Sequence, residues 1–108
     1  MQKVILKGCL LVGLSFGLAN SAQAYSGEVY TVCKLNPEGD NFLALRSCPS
    51  SSCKKVEELD PGTFLWTEEP YSEGSWRAVI VMRNIQDEYP INRPRGFVYD
   101  EFICRIVY

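Results

Sequence analysis

The chain has no histidine. That removes the commonest general base, every Ser/His triad and most catalytic metal sites. It also has no Cys-x-x-Cys pair, so a dithiol redox motif is excluded. No apolar run reaches the roughly 20 residues that a membrane-spanning helix needs; the longest such stretch lies between Gly8 and Ala19. Nor is there an excess of base: eleven Lys and Arg face thirteen Asp and Glu. Nucleic-acid binders concentrate basic side chains on one face, so a nucleic-acid partner is not expected.

What is present at the start of the chain reads as an export signal. Lys3 and Lys7 form a positive segment, an apolar stretch follows, and Ala22-Gln23-Ala24 supplies the small-x-small pattern of a cleavage site. The expectation is a signal peptide over 1–24 and a mature domain over 25–108. Cys9 leaves with the signal, since the short, lysine-flanked segment before it does not suit lipidation. The signal holds two of the basic residues and no acidic one, which leaves nine against thirteen and a mature net charge of −4. The expected location is the periplasm or beyond, with no membrane insertion after cleavage. A domain this small buries only about 60% of its unfolded surface, so covalent staples are expected and a separate catalytic module is not.

Four cysteines remain: Cys33, Cys48, Cys53 and Cys104. An even number in a short exported chain reads as a disulfide framework with three possible connectivities. The turn-forming interior of Cys48-Pro49-Ser50-Ser51-Ser52-Cys53 favours a local bridge, because so short a loop holds its ends within bridging reach. Cys33 and Cys104 are then left to join the first strand to the last. A four-cysteine zinc site is the rival reading. It needs reduced thiolates and usually two tight pairs, and only one close pair exists. No metal and no cofactor are expected.

The mature region reads as short apolar segments at 29–35, 42–45, 56–59, 63–67, 76–82, 96–99 and 102–108, divided by turn residues. Asp60-Pro61-Gly62-Thr63 predicts a type II turn, with Pro second and Gly third. No helix is expected. The adjacent carboxylates Glu57-Glu58, Glu68-Glu69, Asp87-Glu88 and Asp100-Glu101 make poor catalytic dyads where they fall on strands, because neighbours there point to opposite faces. A non-enzymatic protein with no catalytic residue is therefore expected.

Four stretches together resemble the bacterial SH3 (SH3b) family. These are Leu43-Ala44-Leu45-Arg46-Ser47-Cys48-Pro49-Ser50, then Val56-Glu57-Glu58-Leu59-Asp60-Pro61-Gly62, then Gly74-Ser75-Trp76-Arg77-Ala78-Val79, and finally Gly96-Phe97-Val98-Tyr99. The resemblance covers about 29–106. It implies an all-β fold, a small SH3-like barrel of about five strands, which the cysteines would staple; a monomer is expected. It also implies binding to peptidoglycan or its peptide in the cell envelope. Cys48 and Cys53 depart from the family together, standing where a glycine and an aromatic residue are usual. The 82–95 excursion is a second departure, because a tight hairpin is usual there.

Candidate ligand-binding residues are Tyr71, Tyr89 and Tyr99, in or beside loops, and Arg93 and Arg95 in the 82–95 segment. Tyrosine offers a large apolar face with a hydroxyl at low entropic cost, and arginine forks onto carboxylates. Trp76 and Phe97 are expected in the core. Arg46 is expected to bridge loop carbonyls. The alternative function is an inhibitor or accessory subunit that grips an envelope or secreted protein through a protruding 82–95 loop.

Overall fold

The computed structural model describes residues 25–107. The signal peptide expected over 1–24 lies outside the described residues. Each of the seven apolar segments coincides with one strand to within a few residues: β1 (Val29–Val32), β2 (Leu43–Arg46), β3 (Lys55–Leu59), β4 (Phe64–Thr67), β5 (Trp76–Val81), β6 (Arg95–Tyr99) and β7 (Ile103–Arg105). A 3-10 turn, Asp100–Phe102, separates β6 from β7. The domain is all-β, as expected, but it has seven strands rather than about five. They form one antiparallel sheet in the order β3-β2-β6-β5-β4-β1-β7, whose ladder is not closed and ends at β3 and β7.

The turn chemistry acts where the sequence places it. Gly62 has φ +85°, and Thr63 N–H donates to the Asp60 carbonyl at 3.1 Å. Both features belong to a type II turn with glycine at its third position. Between Leu45 and Arg46 the β2–β3 register shifts, so that Leu45 faces Glu57 while Arg46 faces Lys55. Val56 is the extra residue of this bulge, which bends β3 as it enters the cysteine loop.

One core gathers side chains from every strand: Val32, Leu43, Leu45, Leu59, Leu65, Val79, Val81, Val98 and Ile103, none more than 7% exposed. A flat seven-stranded sheet would be about 29 Å wide at the usual strand spacing. Its apolar face would stand in water, because no helix covers it among the described residues. The sheet therefore curls over its own inner face. Arg77 is buried at one end of this core. Its Nε donates to the Glu69 carbonyl at 3.0 Å, and its guanidinium lies 5.1 Å from the centre of the Tyr30 ring. A buried cation is tolerated only with such partners.

A second cluster lies on the outer face, where alternation along β1, β4 and β5 turns Val29, Trp66 and Ile80 outward beside Met82. The 82–95 segment covers this patch. Ile85 packs against the cluster, Pro90 is buried, and the Tyr89 ring lies 4.8 Å from that of Trp66. The segment is fixed by Arg83, whose backbone N–H and Nη1 both donate to Asp87 at 3.0 Å and whose Nη2 donates to the Ile91 carbonyl at 2.9 Å. It is a strap seated on the sheet, whereas the alternative function pictured a protruding loop there.

These contacts hold the Asp87 carboxyl below the ordinary carboxylate value. The largest cause is the Arg83 backbone hydrogen bond, joined by the Arg83 and Arg93 charges and opposed by desolvation. A depressed carboxylate adds stability above its unfolded value and loses it as pH falls through the folded one. The protection of strap amides relative to their intrinsic exchange rates should therefore fall below about pH 4. Asp87→Asn should remove that pH dependence, which hydrogen exchange read by NMR will check.

Gly96 brings β6 against β2. A Cβ built there would lie within van der Waals exclusion of the Arg46 carbonyl oxygen. Gly96→Ala should thus push the two strands apart and lower stability by about 1–3 kcal/mol, the usual range for forced overpacking. A urea titration measures this.

Candidate functional site

The outer face that the strap covers over β1, β4 and β5 is left open farther along, over β2, β6 and the start of β5. There it forms a groove of about 770 Å³. The pleat decides which side chains reach it. On β2, Leu43 and Leu45 are buried while Ala44 and Arg46 alternate outward; on β5 and β6, Val79 and Val98 turn inward while Trp76 and Tyr99 turn outward. The β1–β2 connection adds Lys34, Asn36, Asp40 and Phe42, and the cysteine loop adds Ser51.

Aromatic rings form a row along the groove. Trp76 and Tyr99 are paired across β5 and β6, with ring centres 5.4 Å apart in an edge-on arrangement. Tyr99 is 6.0 Å from Phe102, which the 3-10 turn places beside it. On the other side, the Lys55 ammonium lies 4.9 Å from the centre of the Phe42 ring. Trp76 and Phe97 were expected in the core; both face outward and are half-buried.

The charge of the groove differs from that of the domain. Lys34, Arg46 and Lys55 line it against one carboxylate, Asp40. Lys55 is paired with Glu58. Among the described residues, Lys34 and Arg46 are in no ion pair, whereas Arg83, Arg95 and Arg105 are paired with Asp87, Glu68 and Glu28. Arg46 is instead aimed by a neutral partner, its Nη1 donating to the Cys53 carbonyl at 3.0 Å. It was expected to bridge loop carbonyls, and one such bond is present. Lys34 adopts φ +61°, a left-handed conformation unfavourable for a side-chain-bearing residue. Tyr89 and Asn92 in the strap share this conformation, at φ +55° and +58°, so it does not single out the groove.

Both disulfides adjoin the groove. Cys33 is bridged to Cys104 across 71 residues with Cα atoms 6.0 Å apart, and Cys48 to Cys53 with Cα atoms 5.7 Å apart. These are the pairings favoured from the sequence. Cys33 precedes Lys34, and its N–H donates to the Phe102 carbonyl at 2.9 Å, tying one cation and one aromatic residue of the groove to the long bridge.

The five ligand-binding candidates are not brought together. Tyr99 lies in the groove. Tyr71 stands alone at 57% exposure on the β4–β5 connection. Tyr89 is 59% exposed yet packed against Trp66 with the rings tilted by 53°, and both rings line two cavities of about 310 and 330 Å³. Arg93 Nε donates to the Val81 carbonyl at 3.1 Å, and Arg95 is paired with Glu68. Trp76, Phe42, Phe102, Lys34 and Lys55 were missed as site residues; the usable signal was the Trp76–Tyr99 cross-strand pair, which appears only once β5 and β6 are aligned.

Among the described residues no group of three or more histidine, cysteine or acidic side chains is placed to hold a metal ion. Comparison with protein-family models, with curated proteins and with solved structures found no match for this chain.

Proposed function

We propose that this chain is an exported, non-enzymatic binding module of the cell envelope that holds a carboxylate-bearing ligand, peptidoglycan or its peptide, in the aromatic groove. The observation that carries the reading is two cations in no ion pair among the described residues, Lys34 and Arg46, in one groove with the Trp76–Tyr99–Phe102 row. Unneutralised cations beside apolar rings suit a ligand that alternates carboxylates with small apolar groups, as wall stem peptides do. The net charge of −4 repels a polyanionic wall at long range, but screening confines that repulsion to about 8–10 Å while the groove acts at contact distance. The resemblance to the bacterial SH3 family, with the curl of the sheet around one core, supports reading the domain as an elaborated SH3-like barrel. It acts as a monomer in the periplasm or outside the cell.

The alternative, a protein-binding inhibitor, has one favourable observation: Tyr89 and Ile91 stand exposed on the strap at 59% and 71%. Its arginines are less supportive, since Arg83, Arg93 and Arg95 already serve partners within the domain. Co-sedimentation of the oxidised protein with purified sacculi at moderate salt separates the readings. The wild type should pellet saturably, Lys34→Glu/Arg46→Glu should stay in solution, and Arg93→Glu/Arg95→Glu should pellet like the wild type. No pelleting of the wild type, or loss only in the Arg93/Arg95 variant, would overturn the groove reading.

A further inference from the structure

Each cation of the groove that is in no ion pair among the described residues is tied to a disulfide, but the two ties differ in kind. Lys34 neighbours the long bridge, whose opening threatens the whole domain. Arg46 is held by the short one. Its Nη1 bonds the carbonyl of Cys53 itself, and Ser51, between the bridged cysteines, forms part of the groove wall. Within the loop, Ser50 N–H donates to the Cys48 carbonyl at 2.8 Å and Cys53 N–H to the Ser50 carbonyl at 3.2 Å. None of Cys48, Pro49, Ser50, Ser51, Ser52 or Cys53 belongs to either apolar cluster. The base of the loop is zipped as well, Ser47 N–H donating to the Lys54 carbonyl at 2.9 Å and Arg46 facing Lys55, so the bridge is the covalent tie at Cys53 and shares the holding of its carbonyl with these bonds. Both cysteines are half-buried rather than enclosed, so a thiol can reach them.

We infer that the Cys48–Cys53 bridge positions Arg46 for the ligand, so that binding in the groove follows the thiol–disulfide state of this one loop. The inference rests on the groove being the ligand site. A dithiol donor opens the bridge by exchange. One donor thiolate attacks a cysteine sulfur to give a mixed disulfide, and the second then displaces the protein thiolate. The donor becomes a disulfide, and the protein gains two electrons and two protons as two thiols. Cys33 and Cys104 are half-buried too, so the effect of the short bridge is read with the long one intact, where the sheet persists. The loop is released, the Cys53 carbonyl no longer fixes the guanidinium, and Arg46 must be ordered anew by each ligand. Ordering one such side chain weakens binding by up to about tenfold.

The test uses the protein expressed as the full chain and recovered oxidised, with muropeptides released from sacculi by muramidase as the probe. Binding is titrated calorimetrically for the wild type, Cys48→Ser/Cys53→Ser, Arg46→Gln and the combination. Unchanged amide shifts in β4, β5 and β7 establish that each variant is folded. The expected result is about tenfold weaker binding without the bridge, a similar loss for Arg46→Gln, and no further loss in the combination. A ligand-free readout accompanies this: the Arg46 Nε–H resonance should be resolved in the oxidised protein and averaged toward solvent values without the bridge. Wild-type affinity in Cys48→Ser/Cys53→Ser, or equal losses from bridge removal with and without Arg46, would overturn the inference. If the wild type does not bind muropeptides, the envelope reading fails; an Arg46 resonance unchanged by bridge removal overturns the positioning role independently.

Discussion

Replacing Cys33 and Cys104 together by serine is expected to lower the stability of the domain by about 4 kcal/mol, against about 2 kcal/mol for Cys48 and Cys53. The difference comes from the chain each bridge closes, 71 residues apart in one case and 5 in the other. Loop-closure entropy removed from the unfolded state grows with the logarithm of that length. The long bridge also ties β7 to the end of β1, and β7 is an edge strand of three residues paired on one side only. Without it, β7 and the 3-10 turn should fray first and carry Phe102 out of the groove. Domains of this size retain about 5–10 kcal/mol in total, so a loss of this order leaves a partly unfolded population near body temperature. Urea unfolding followed by tryptophan fluorescence measures the difference. Equal losses for the two bridges would show that strain or residual structure outweighs closure entropy.

Trp76→Ala should abolish most ligand binding, with a loss of at least tenfold and about thirtyfold if Trp76 behaves as a central aromatic anchor. Trp76 sits where the groove floor meets Tyr99 and is half-buried without a ligand. It therefore has apolar area still to be covered. Its contribution to folding should be smaller, because it faces away from the inner core and pairs chiefly with Tyr99 across the strands. Trp76→Phe should recover part of the affinity by restoring an aromatic face. Titration with muropeptides, alongside a urea curve for each variant, separates loss of ligand contact from loss of fold. An affinity loss matched by a proportional stability loss would make Trp76 a packing residue after all.

Much of the architecture was legible because its signals are local. The seven strand segments are short apolar runs between turn residues, and the Pro61-Gly62 turn and the two cysteine pairings need only neighbouring residues or chain length. The strand count expected from the resemblance was too low, since the segment around Tyr30 and the short Ile103–Arg105 strand pair with each other as additional members of the sheet. The groove was not legible because it depends on facing. In β5, Ala78, Val79, Ile80 and Val81 are all apolar and the one charged residue, Arg77, points inward. Alternation therefore gave no marker that Trp76 points outward. The strap was misread for a related reason. Its arginines look like ligand-seeking charges until Trp66, Ile80 and Met82 are seen to form an outer apolar patch that must be covered. Apolar residues on both faces of β4 and β5 were the available signal for that cover.

The central claim is that the ligand lies in the groove, and mapping amide shifts during titration with muropeptides tests it most directly. The account expects perturbations to concentrate at Lys34, Phe42, Arg46, Ser51, Trp76, Tyr99 and Phe102, with Trp66, Tyr89 and Ile91 unaffected. Perturbations centred on the strap and Trp66, with the groove residues silent, would contradict it.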